Sequence, residues 1–128
     1  MATEIRGLCV GKYTASADLS GKQYCFARQS GTAGQLNVTS LATQKPIGVI
    51  QNKPTTGQPV DLMVTGVSKM VAGAAVAAGA DVMSDANGNA ITAVTNTGAN
   101  FSLGQAQTAA AAAGTIIEVL LPGVAKSL

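Results

Sequence analysis

A chain of 128 residues with no histidine, no tryptophan and only fourteen charged side chains has little from which to assemble most catalytic machinery. Alanine (23), glycine (15), threonine (13) and serine (8) account for 59 positions, side chains that pack closely and titrate little. The net charge of +2 comes from scattered cations with no Lys/Arg run and no aromatic platform beside one, which excludes the footprint of a nucleic-acid binder.

Length allows one domain with one core. Its four aromatics, Tyr13, Tyr24, Phe26 and Phe101, are few, so Val, Ile, Leu, Met and Ala must build that core. Mean hydropathy is +0.30 and charged residues make up 11%, against roughly 25% in soluble domains. Partners or further subunits are therefore expected to cover part of the apolar surface. Residues 71–80, the most apolar stretch, are about half of the roughly twenty needed to span a bilayer and contain two glycines. No membrane partner is expected. Cys9 and Cys25 fit no metal spacing and read as two small buried hydrophobes, with one disulfide as the alternative in an oxidising compartment. The chain opens without a charged and then apolar leader, so cytoplasmic synthesis is expected.

Residues 1–22 show weak periodicity and no cap signal, and they read as an extended N-terminal arm. Residues 23–122 carry the β signals. Tyr24, Phe26 and Arg28 alternate with Cys25 and Ala27 as a strand, and the turn Ser30-Gly31-Thr32-Ala33-Gly34 leads into a second strand at residues 35–38. Pro46-Ile47-Gly48-Val49-Ile50-Gln51 is short and β-branched, with proline at its entry, where a missing N–H harms a ladder least. Val60, Leu62 and Val64 alternate with Asp61, Met63 and Thr65, and a further strand follows Gly66 over residues 67–71. Glycines interrupt the alanine-rich stretch 72–80, which reads as an irregular loop with strand-like pieces. Residues 81–84 and 90–94 flank Asp85-Ala86-Asn87-Gly88-Asn89, the clearest hairpin signal in the chain. Residues 95–100 read as a polar loop, and 101–105 as a strand broken by glycine. Ala109–Ala113 is too short to nucleate more than one turn of helix. Residues 115–121 form the strongest strand, ended by Pro122-Gly123, and 123–128 remain as a C-terminal tail. About eight short strands at regular spacing indicate an all-β barrel or sandwich.

Candidate chemistry is sparse. Asp81 and Asp85 are the nearest carboxylates in sequence, and they read as turn-forming and solvated. An EF-hand register that places Gly88 sixth puts Met83 first and Val94 twelfth, where acidic ligands are required, so no calcium loop is present. Neither a catalytic residue nor a metal or cofactor site is assigned. Val67-Ser68-Lys69-Met70 is weakly similar to the modified-lysine hairpin of biotinyl and lipoyl carrier domains, but Ser68 stands where those families place Met or Asp.

Three segments in order carry a stronger resemblance: 45–51 (KPIGVIQ), 66–73 (GVSKMVAG) and 78–88 (AGADVMSDANG). With the closing FSLGQA at 101–106, the alanine run and IIEVLL at 116–121, the chain resembles the tailed-phage capsid cement, or head decoration, proteins from about Tyr24 to Pro122. The resemblance implies a non-enzymatic β module on the outside of an assembled icosahedral head, commonly a homotrimer, whose partner is the major capsid protein. It also implies residence on the virion capsid surface after synthesis in the host cytoplasm. The competing reading is another non-catalytic β module of a tail, fibre or cell surface. The first twenty residues lie outside the resemblance. Their apolar content without a self-contained pattern makes Ile5, Arg6, Leu8, Val10 and Lys12 the expected partner-binding residues.

Overall fold

The computed structural model describes residues 5–6, 8–95 and 98–128, with side chains from Leu8 onward. Thirteen strands and no helix occur among them. The chain opens with β1 (Ile5–Arg6) and β2 (Cys9–Ala15), followed by a hairpin of β3 (Phe26–Gln29) and β4 (Gln35–Val38). Next come β5 (Gly48–Ile50), β6 (Pro59–Met63) and β7 (Thr65–Val71), then a second hairpin of β8 (Val82–Ser84) and β9 (Ala90–Thr92). The last strands are β10 (Phe101–Ser102), β11 (Gln105–Ala106), β12 (Ile116–Pro122) and β13 (Lys126–Ser127).

Five strands close into a barrel in the order β2-β4-β3-β5-β6, with β2 and β4 parallel and the other neighbours antiparallel. A second sheet, β1-β7-β12-β11, is built on the seven-residue antiparallel ladder between β7 and β12. The ribbons β8-β9 and β10-β13 complete the structure. The expected all-β barrel or sandwich is therefore realised as a small barrel with a sheet packed on it.

Alternation along the barrel strands feeds two cores. Ala27, Leu36, Ile50, Val60 and Leu62 pack together on one side. Their strand neighbours Phe26, Val49 and Met63 point the other way, toward Met70, Ile117 and Val119 of the second sheet. Strands β3, β5 and β6 are thus buried on both faces, and few aromatics suffice because each strand contributes twice. Each full burial of a side chain of this size stabilises by about 1.5–3 kcal/mol.

Local sequence explains the hairpins. Gly88 sits at φ +83°, as an Asn-Gly turn requires, and a Cβ there would meet the Val38 side chain and lie 3.1 Å from the Thr39 carbonyl oxygen. Asp85 Oδ1 accepts from the Asn87 and Asn89 amides and shapes the same turn. The alanine segments form no helix. Val76 and Ala110 exchange backbone hydrogen bonds of 3.0 and 2.8 Å, so the loop near residue 76 and the alanine run satisfy each other's polar groups.

Three expectations are corrected. Tyr24 does not continue a strand with Phe26, because it takes φ +66° and the strand begins after it. At that corner its N–H donates to the Ile50 carbonyl and its own carbonyl accepts from Val71, over-determining the left-handed conformation. The segment read as an arm is a barrel strand from Cys9 onward, and Leu19 lies in the barrel core; residues 1–4 and Gly7 of it lie outside the described residues. The tail after Pro122 is paired, through β13 on β10. Within the expected polar loop, residues 96–97 also lie outside the described residues.

Candidate docking surfaces

The five residues expected to bind a partner fall on two consecutive strands. Backbone pairing sets Ile5 against Val67 and Arg6 against Gly66, making β1 an edge of the second sheet. Leu8 follows, its N–H donating to Thr65 Oγ1 (3.0 Å) and its carbonyl accepting from Val64 (2.9 Å). Those bonds fix the backbone, yet the Leu8 side chain is 58% exposed. Val10 pairs with Leu62 and is half-buried in the barrel wall. The register slips between Val10 and Tyr13, a bulge that turns Gly11 and Lys12 out to solvent. Lys12 Nζ then lies 5.6 Å from the centre of the Tyr13 ring. Leu8 and Lys12 are thus presented outward, Leu8 from backbone bonded at both its N–H and its carbonyl, whereas Val10 is largely a wall residue.

A second exposed region escaped the sequence reading. A groove of about 500 Å³ is lined by residues including Asp81, Gln105, Leu120, Pro122, Val124 and Lys126. Lys126 Nζ bonds Asp81 Oδ2 at 2.8 Å on its rim, while Leu120 and Val124 leave apolar surface exposed. Residues 123–128 gave no periodic signal, so only the closure of β13 onto β10 places Val124 and Lys126 there.

Lys69 stands in the middle of β7, opposite Glu118 of β12, with its Nζ 5.9 Å from the centre of the Tyr24 ring. A carrier domain would need its lysine on a hairpin turn. Cys9 and Cys25 are both free thiols. The Cys25 Sγ donates to Asn89 Oδ1 at 3.2 Å, and burial pushes the thiol up to about 11, with Lys22 pulling it down and Asp85 reinforcing the rise. Such a thiol is a poor nucleophile at neutral pH. At the surface, the Ser20 backbone N–H, helped by the Ser20 hydroxyl, holds the Asp18 carboxyl below its ordinary value, which marks a local turn.

No curated protein matches the chain. Among solved structures it is similar to the crystal structure of the head fiber gp8.5 N base in bacteriophage phi29. That match has a TM-score of 0.69 at 13% identity and covers 94% of this chain and 100% of that one, so the two share a fold. The sequence itself supplies the closer tie: a family model described as phage cement protein matches residues 10–121, from the second strand to the end of the long sheet ladder, and the chain belongs to the phage cement protein family.

Proposed function

We propose that this capsid decoration protein, acting as cement and not as an enzyme, seats on the outer surface of the assembled head against the major capsid protein, through the edge that carries Leu8 and Lys12. The observation that carries the reading is Leu8, an apolar side chain more than half exposed on backbone fixed at both its N–H and its carbonyl. Burying it under a partner needs no reordering of the strand, which keeps the entropic cost of docking low. Lys12, four residues further along the same segment and turned out to solvent by the bulge, supplies one cation to orient an acidic contact on the shell. Family membership places the chain in the virion capsid. Binding only the assembled lattice would stabilise whichever shell state exposes the composite site. Many identical weak contacts, gathered in homotrimers, would sum through multivalency.

The test is co-sedimentation with purified expanded heads and with immature procapsids. Wild-type protein is expected on expanded heads only, and Leu8→Asp combined with Lys12→Glu is expected to reduce occupancy at least tenfold. Unchanged occupancy of the double variant would remove this edge from the contact, and binding to neither particle would overturn the cement reading. Point substitutions are needed because removal of residues 1–12 would also strip the start of a barrel strand.

The likeness to the phi29 head fiber base favours a second reading, in which the module anchors a projecting fibre. Electron cryomicroscopy of decorated heads separates the two, since cement gives a compact knob and a fibre base gives extended density above it.

A further inference from the structure

The peptide bond between Asn87 and Gly88 sits in a turn that leaves it chemically open. Asn87 is the one asparagine in the sequence followed by glycine, so no Cβ on the next residue crowds an approach to its amide nitrogen. Asn87 is exposed, and among the described residues its side chain makes no hydrogen bond, because its contacts run through its backbone. The Asn87 carbonyl accepts from Lys22 Nζ at 3.2 Å, whereas the Gly88 N–H reaches the Asp85 carbonyl only at 3.4 Å, long for such a bond.

We propose that Asn87 is a self-modification site, at which Lys22 promotes attack of the Gly88 amide nitrogen on the Asn87 side-chain carboxamide. A solvent base takes the Gly88 amide proton, and the nitrogen bonds to Asn87 Cγ. The ring closes to a succinimide as the Cγ–Nδ2 bond breaks, and the side-chain nitrogen, protonated from solvent, leaves as ammonia. Water then opens the ring at either carbonyl, giving aspartate or, where the main chain now runs through Cγ, isoaspartate. The net change is ammonia lost and water gained, with no oxidant or reductant.

Lys22 acts on the costly step. Removing a proton from the Gly88 amide spreads negative charge onto the Asn87 carbonyl oxygen, the atom that the Lys22 ammonium contacts, so the contact strengthens as the reaction proceeds. Asp85 works the other way, since its Oδ1 accepts from the Asn87 and Asn89 amides and sets a carboxylate in the same turn. Lys22 offsets that charge.

The product reaches the joint between the two hairpins. Isoaspartate inserts the side-chain methylene into the main chain just before Gly88, whose carbonyl accepts from the Phe26 amide at 2.9 Å and which lies against Val38 and Thr39. A longer main chain displaces that carbonyl, so each modified copy loses the tie to Phe26. The inference is independent of where the protein docks.

Peptide mapping by mass spectrometry tests it on full-length protein incubated for several days at neutral pH. Conversion is expected at Asn87 before any other asparagine. Lys22→Met is expected to slow the reaction of the folded protein about two- to fivefold, and Lys22→Arg to restore the wild-type rate. In guanidinium chloride, where the contact is absent, all three chains are expected to react equally, and a variant that had merely unfolded would show that common rate in buffer as well. Equal rates for folded wild type and K22M, or no conversion at Asn87 in the folded protein, overturns the proposal. The isoaspartyl fraction, separated by its added negative charge, is expected to unfold at lower urea concentration than wild type. Freshly purified N87D carries the charge without the extra methylene and is expected to keep the wild-type midpoint. An isoaspartyl fraction as stable as N87D overturns the effect on the joint.

Discussion

The amide of Phe26 donates to the carbonyl of Gly88 at 2.9 Å, which ties the first barrel hairpin to the Asn-Gly turn of the second. Because Gly88 also lies against Val38 and Thr39 at positive φ, the bond exists only while no side chain grows there. Gly88→Ala is expected to cost about 2–4 kcal/mol, combining left-handed strain with overpacking, and to lower the urea midpoint without changing the slope.

Close to that contact, the Thr39 and Ser84 hydroxyls bond at 2.6 Å, and both residues are buried. Thr39→Val leaves Ser84 with only its bond to the Asp85 carbonyl, and about 1–3 kcal/mol of stability should be lost. Adding Ser84→Ala should then cost less than it does in the wild type. A double-mutant cycle with no coupling energy would show that the two hydroxyls do not depend on each other.

Strand β12 offers a comparison between neighbours. Ile117 is fully buried among Met70 and Val119, whereas Ile116 is exposed on the opposite face. Ile117→Ala should destabilise by about 2–5 kcal/mol and Ile116→Ala by less than about 1 kcal/mol, as measured by chemical denaturation. Similar losses at both positions would contradict the two-sided layout.

Cys25 makes stability depend on alkaline pH. Its thiol ionises from its ordinary value of 9.0 in the unfolded chain but only near about 11 in the folded one, so between these values the folded state holds more proton. Stability attributable to this group is complete below pH 9 and falls as pH rises toward 11, by on the order of 2 kcal/mol. Cys25→Ala should flatten that part of the profile relative to wild type. Alkylation of Cys25 should also be slow at neutral pH until the fold opens.

Hairpins and buried strands were readable because their signals are local: Asn87-Gly88 needs positive φ, alternation around Val60 and Leu62 has period two, and residues 115–121 are apolar on both faces apart from Glu118. Ends and corners were not. Cys9–Ala15 read as part of an extended arm because its partners, Val60, Leu62 and Met63, lie some fifty residues away and its alternation is interrupted by the bulge. Tyr24 looked like strand because nothing in its neighbours reveals the bonds to Ile50 and Val71 that turn the backbone there. Of the candidate contact residues, Leu8 and Lys12 were nameable from composition, whereas Val124 and Lys126 enter the groove only through the return of β13 to β10.

The closing position of β2 also sets a schedule. Of the barrel strands that one is made earliest, but it can be held only after Gln35, Leu36 and the β6 strand ending at Met63 have left the ribosome, so it waits for distant partners. Leu8 and Lys12 acquire fixed positions only at the end of that wait. A nascent or partly folded chain therefore does not yet hold these two side chains on paired backbone, and only the finished fold presents them.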